Sequence, residues 1–257
     1  DAGIASNADL LDRTDMIVAA GGGERDIAVD TAIMAGVRKT NQPGAYLNER
    51  LMSDLRPTLF LAQLPNLLAG NISLVHGVVG SSRTFMGEEA AGVDAVRVAQ
   101  ARIAAGQSEL TLVGGAYHGT RWDVLLAFEL GGVVLKDKFA PVWDRGPQGG
   151  IAFGTMGAFL VLESREHAQG RGAKPRARIS QVFSDRNARD EGEAERSLRR
   201  QWNVIAPQVD CAHAAVISGA AGLEPATSAE LHVLKDIGLP VRNTGTYIGH
   251  GVDTQFM

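Results

Sequence analysis

Short apolar runs closed by glycine alternate along this chain with segments whose apolar residues recur at helical spacing. "MIVAAGGG" (16–23) is an apolar run stopped by glycines and predicts a buried strand. "RDIAVDTAIMAGVRK" (25–39) sets Ile27, Met34 and Val37 near helical spacing, with Thr31 on the same stripe. "TLFLAQLPNLLAGN" (58–71) is apolar throughout and carries Pro65, which predicts a broken helical stretch. In "GEEAAGVDAVRVAQARIAAG", Val93, Val96, Ala99 and Ile103 form one stripe, and Gly106 supplies the stop. "ELTLVGG" (109–115) follows as a strand entering a double-glycine turn. A helix, strand and turn in this order indicate α/β layering.

The second half continues the alternation. "GAFLVLESREHAQGRGAKPRARISQVF" (157–183) reads as strand, short helix and strand. "EGEAERSLRRQWNVI" (191–205) reads as a polar-faced helix and "HAAVISGAAG" (213–222) as a strand running into a small-residue turn. "TSAELHVLKDIG" (227–238) reads as a helix N-capped by Thr227 and ended by Gly238, and "PVRNTGTYIGHG" (240–251) as strand and loop.

Composition narrows the function classes. The 257 residues suffice for a large core, and the net charge of −4 gives no basic footprint for nucleic acid. No apolar run is long enough to cross a bilayer and no signal peptide opens the chain, so a cytoplasmic location without membrane insertion is expected. The single cysteine, Cys211, excludes an internal disulfide framework and a Cys-based zinc cluster. It stands beside Asp210 ahead of an apolar strand and reads as an inert buried thiol. His213, in that strand, reads as a core histidine; His118 as a pocket residue; His167 and His232 as helix-surface residues. "AGGGERD" lacks the spacing of a dinucleotide loop, and neither a P-loop nor an HExxH helix is present. No cofactor or metal is expected.

The glycine-rich turn into "MGEEAAG" carries the functional question, because sharp turns into buried helix starts hold nucleophiles in many enzymes. Four segments in register, "LFLAQLPNLLAGNISLVHGVVG", "EEAAGVDAVRVAQARIAAGQSELTLVGGAYHG", "GAFLVLESREHAQGRGAKPRARISQV" and "NTGTYIGHG", resemble the β-ketoacyl-ACP synthases of the thiolase superfamily. The resemblance implies an αβαβα five-layer fold built from two similar halves. Here 1–172 would form a partial N-terminal half and 173–257 a partial C-terminal half, incomplete at both ends. It also implies acyl carrier protein as partner and dimer formation.

Carried over residue by residue, the resemblance places Glu89 at the nucleophilic cysteine position. Gly219 falls at the first histidine, Gly245 at the lysine, and His250 at the second histidine. The family's glutamate before the strand is also missing, near Thr155. A carboxylate suits a helix N-terminus but cannot replace a thiolate, since attack on a thioester would leave a mixed anhydride. The expectation is a synthase homologue in fatty acid or polyketide biosynthesis that does not condense. It would resemble a chain-length factor and form a homodimer, or a heterodimer with an intact paralogue. The alternative is residual synthase-type activity, malonyl-ACP decarboxylation or acyl-ACP condensation, using Glu89 and His250.

Overall fold

A computed structural model describes residues 2–23, 25–188 and 190–257. Glu24, the last residue of the "GGGE" cluster, lies outside them. The first part runs α1 (Ala8–Arg13), β1 (Asp15–Ala19), α2 (Ile27–Val37), α3 (Pro43–Ser53), α4 (Pro57–Ala62), α5 (Leu67–His76) and β2 (Ser82–Phe85). It continues through α6 (Glu89–Ala104), β3 (Leu110–Tyr117), α7 (Trp122–Leu130), β4 (Met156–Glu163) and α8 (Arg165–Gly170). The remainder carries α9 (Glu193–Ile205), β5 (Val216–Ser218), α10 (Ala226–Ile237), β6 (Val241–Asn243) and α11 (Thr244–Tyr247).

One sheet has the order β2-β1-β3-β4, with β1 parallel to both neighbours and β4 antiparallel to β3. Alternation along β1 sorts its side chains between two helical layers. Met16 and Val18 meet Ala69 of α5, while Ile17 meets Ala95, Val96 and Ala99 of α6. A second sheet pairs β5 with β6 in parallel, and α9 and α10 pack against each other beside it. Asp15 anchors the first sheet: its carboxylate accepts from Ser81 N and Oγ and bridges Arg102 at 3.0 Å.

Most expected elements form, and the broken stretch resolves into α4 and α5 separated around Pro65. Several expectations are corrected. Gly114 and Gly115 form no turn but lie inside β3, which runs on to Tyr117 paired against β4. In α2, Ile33 is the buried residue, whereas Met34 is exposed, because α2 packs on α3 along a face offset from the predicted stripe. Residues 175–183 form no strand: a strand requires a ladder, and among the described residues it is the Gln100 side chain that bonds this backbone, at Ile179 O and Ser180 O. Ile179 and Val182 nevertheless pack onto the α6 core.

Cys211 is exposed rather than buried, and His213 is exposed rather than in the core. Asp210 caps a single 3-10 turn over Cys211–His213 that precedes β5, and its carboxylate holds His213 Nδ1 at 2.8 Å on the surface. Thr227 lies inside α10 rather than capping it, donating from Oγ1 to Leu223 O at 2.8 Å. Gly238 ends that helix in the left-handed conformation, as expected.

Candidate functional site

β2 delivers the chain to Gly87 at φ 144 and then to Glu88 at φ 56, ψ −138, before α6 begins at Glu89. A non-glycine residue with positive φ is costly and persists only where its surroundings impose it. The turn is therefore a strained elbow that presents the first residue of α6, where unpaired N–H groups and the helix dipole favour an anion. Small residues let α6 sit close behind it. Ala91, Gly92 and Ala95 are buried, and a Cβ on Gly92 would fall 2.8 Å from Asp253 O.

Glu89 and His250, predicted together from sequence, meet in space. His250 Nε2 lies 2.9 Å from Glu89 Oε1, and His250 is 1% exposed. Both ring nitrogens are sealed from solvent. The loop that carries the ring is clamped on both sides. His250 N donates to Ala152 O at 2.8 Å, and Gly154 N donates to His250 O at 3.1 Å. Phe153 packs edgewise on the ring at 6.3 Å between centroids. Burial pushes the Glu89 carboxyl upward, but the His250 contact, the helix-start N–H and the imidazole charge outweigh it and hold the group below its ordinary value.

The two glycine positions are not vacant. A Cβ built on Gly219 would fall 2.0 Å from Phe256 Cε1. One built on Gly245, in the first turn of α11, would lie 3.1 Å from Ala220 O and 3.2 Å from both Asn243 Oδ1 and Val142 Cγ2. Gln255 and Asn243 tie these loops together. Gln255 Nε2 donates to Gly219 O at 2.9 Å and Thr244 Oγ1 at 3.1 Å, while its Oε1 accepts from Gly251 N at 2.9 Å. Asn243 Nδ2 donates to Ala220 O at 3.0 Å, and its Oδ1 accepts from Thr246 N at 2.9 Å. Thr155 stands apart, exposed, with Oγ1 accepting from Gly119 N at 3.0 Å.

A cleft of about 440 Å³ opens beside the elbow, walled by Leu64, Leu67, Met86, Val124 and Phe128. His118, a candidate pocket residue, lines it and holds Thr120 Oγ1 at 3.1 Å. Glu88 and Asp253 form its acidic wall. Asp253 is 5% exposed, and burial, together with the Glu88 and Glu89 charges, pushes its carboxyl upward despite backbone N–H bonds. Burial also pushes the Tyr117 hydroxyl up to about 12. Sequence reasoning placed Glu88 in the turn into α6 without a role and passed over Asp253, Gln255 and Phe256. Only Asn243 carried a local signal, as an N-cap residue before "TGTY". Among the described residues no three His, Cys, Asp or Glu side chains converge as a metal site, and no helix is long and apolar enough to cross a membrane.

Residues 2–168 match the family model described as the N-terminal domain of β-ketoacyl synthases. The chain belongs to the β-ketoacyl synthase family. Over 127 residues it is 30% identical to nodulation protein E of Rhizobium leguminosarum bv. trifolii, covering 49% of this chain and 31% of that protein. It is 25% identical over 178 residues to 3-oxoacyl-[acyl-carrier-protein] synthase 2 of Vibrio harveyi, covering 67% and 42%. The chain thus spans less than half the length of these curated relatives.

Among solved structures, the ishigamide ketosynthase/chain length factor superposes with a TM-score of 0.68 at 21% identity, over 97% of this chain and 61% of that one. A type II polyketide acyl carrier protein in complex with its ketosynthase gives 0.65 at 20% identity, over 97% and 67%. The fold of this synthase-family chain is the thiolase-like fold of the ketosynthases, as the resemblance implied.

Proposed function

We propose that this chain is a condensation-deficient β-ketoacyl synthase homologue acting in fatty acid or polyketide synthesis as a partner subunit. In this role it resembles a chain-length factor that pairs with an intact synthase and an acyl carrier protein. The observation that carries the reading is the Glu89–His250 contact at 2.9 Å. The position assigned to the nucleophile holds a carboxylate, and that carboxylate engages the one retained histidine. A carboxylate kept below its ordinary pKa is a weak nucleophile toward a thioester, and the ionised Glu89 repels the carboxylate of a malonyl unit.

The surface supports a partner. Phe60 of α4, Leu74 and Val75 of α5, Met86 at the elbow, and Trp122 and Leu130 of α7 are exposed, with Leu74 at 86% and Leu130 at 80%. Unpaired apolar helix faces of this kind mark association surfaces. In the reading proposed here, residues 1–172 and 173–257 belong to the two halves of the fold, and the protein works in the cytoplasm.

The alternative, decarboxylation or condensation by Glu89 and His250 themselves, is the weaker reading. Both His250 ring nitrogens are closed off, and no second basic group stands at Gly219 or Gly245 to stabilise an enolate. The deciding experiment incubates the purified protein with acyl-ACP and malonyl-ACP, alone and with an intact paralogue, and follows the carrier-bound chain by mass spectrometry. No product alone, and an altered product length in the mixture, is the expected result. Condensation by the protein alone overturns the reading.

A further inference from the structure

Residues 251–257 are seated on glycines supplied by separate elements. A Cβ on Gly21, after β1, would fall 2.9 Å from Asp253 Oδ2, and one on Gly92, in α6, 3.0 Å from Met257 Cγ. A Cβ on Gly115, in β3, would fall 2.8 Å from Thr254 Cγ2. Gly92 and Gly115 also face backbone oxygens, Asp253 O at 2.8 Å and Ala19 O at 2.7 Å. Gly219 differs: the same construction lands 2.0 Å from Phe256 Cε1, 2.5 Å from Cδ1 and 2.8 Å from Cζ, inside the ring's own envelope. The ring edge occupies the volume into which any side chain at position 219 would project.

We infer that Phe256 fills the space of the side chain missing at Gly219, so that the two residues form a packing pair and any side chain at position 219 must displace the ring. The inference rests on the proposed function only for the meaning of position 219; the packing relationship itself stands on the distances between Gly219 and the Phe256 ring. Val252, Asp253, Thr254 and Gln255 are all buried and Gln255 is bonded to Gly219 O, which fixes the backbone leading into Phe256, while the ring itself is 48% exposed on its outer side. Among large apolar side chains that fit this slot, a flat ring edge comes closest to a bare backbone, and only glycine offers one. Restoring a histidine at 219 therefore requires displacing the ring or a second change at 256. A chain that had merely lost its histidine would leave a cavity there instead.

A double-mutant cycle tests the pair. Gly219→Ala, Phe256→Ala and the double variant are made in the full chain and their urea midpoints compared with the parent. Gly219→Ala is expected to lower the midpoint strongly, and the double variant to regain at least half of that loss. Gly219→His gives the same contrast, insoluble alone and soluble with Phe256→Ala. Should Gly219→Ala fail to fold, the solubility and midpoint of the double variant against Phe256→Ala alone still decide. Additive losses, or a Gly219→Ala variant as stable as the parent, overturn the inference. These readouts involve neither acyl carrier nor paralogue, so their failure is separate from failure of the proposed function.

Discussion

Glu89 Oε1 stands 2.9 Å from His250 Nε2, joining the first residue of α6 to a loop held between Ala152 and Gly154. The contact crosses from the sheet that builds the elbow to the segment beyond β6. It ties the strained turn at Glu88 to the part of the chain that carries the remaining site positions.

Removing Glu89 leaves the fully buried His250 ring without that contact. Breaking a buried pair typically costs 3–5 kcal/mol, but the Glu89 side chain is 36% exposed, and solvent screens part of the interaction. Glu89→Ala is expected to destabilise the protein by about 1–2 kcal/mol, read as a shift in urea midpoint at unchanged slope.

Acidity separates Glu89 from Asp253. The Glu89 carboxyl lies below its ordinary value in the folded state, so its contribution is complete above pH 4.5 and fades as pH falls through the lower folded value. The stability gap between the parent and Glu89→Gln should close on acidification. Asp253 behaves oppositely. Its carboxyl is raised, so its contribution is complete below pH 3.8 and is lost as pH rises through the folded value. Asp253→Asn should gain stability relative to the parent toward neutral pH. Urea midpoints from pH 7 down to the acid limit of folding measure both slopes.

Gly245→Lys introduces a Cβ against Ala220 O, Asn243 Oδ1 and Val142 Cγ2, all at 3.1–3.2 Å. The neighbours must give way slightly, and a loss of roughly 1–3 kcal/mol is expected, read by thermal or urea unfolding.

Placing a thiol at the elbow should not restore condensation. Glu89→Cys gains a nucleophile but leaves Gly219 and Gly245 without the groups that stabilise an enolate, and each missing donor is worth roughly 10²–10³ in rate. Mass spectrometry of the carrier-bound chain should show no elongated product, and elongation would mean that those positions are dispensable.

Leu130→Asp tests the apolar face. Leu130 lies 80% exposed at the end of α7, so the isolated chain should keep its stability within about 0.5 kcal/mol. Association with an intact paralogue, followed by light scattering after size-exclusion chromatography, should weaken at least tenfold.

The sequence by itself determined the local structure around the site. A glycine stop and an apolar run defined β1, an apolar run marked the start of β3, Pro65 divided α4 from α5, and the turn into "GEEAAG" put Glu89 at a helix start. These features are legible because backbone preference and periodicity act over neighbouring residues. What the tertiary structure decided depends on residues far apart in the chain. It turned Ile33 inward rather than Met34, kept Cys211 and His213 at the surface, and left 175–183 without a ladder. It also closed His250 against Glu89 and drove the Phe256 ring over Gly219. A missing side chain is visible in a sequence, but whether its volume stands open or is filled depends on which distant residue the fold brings there.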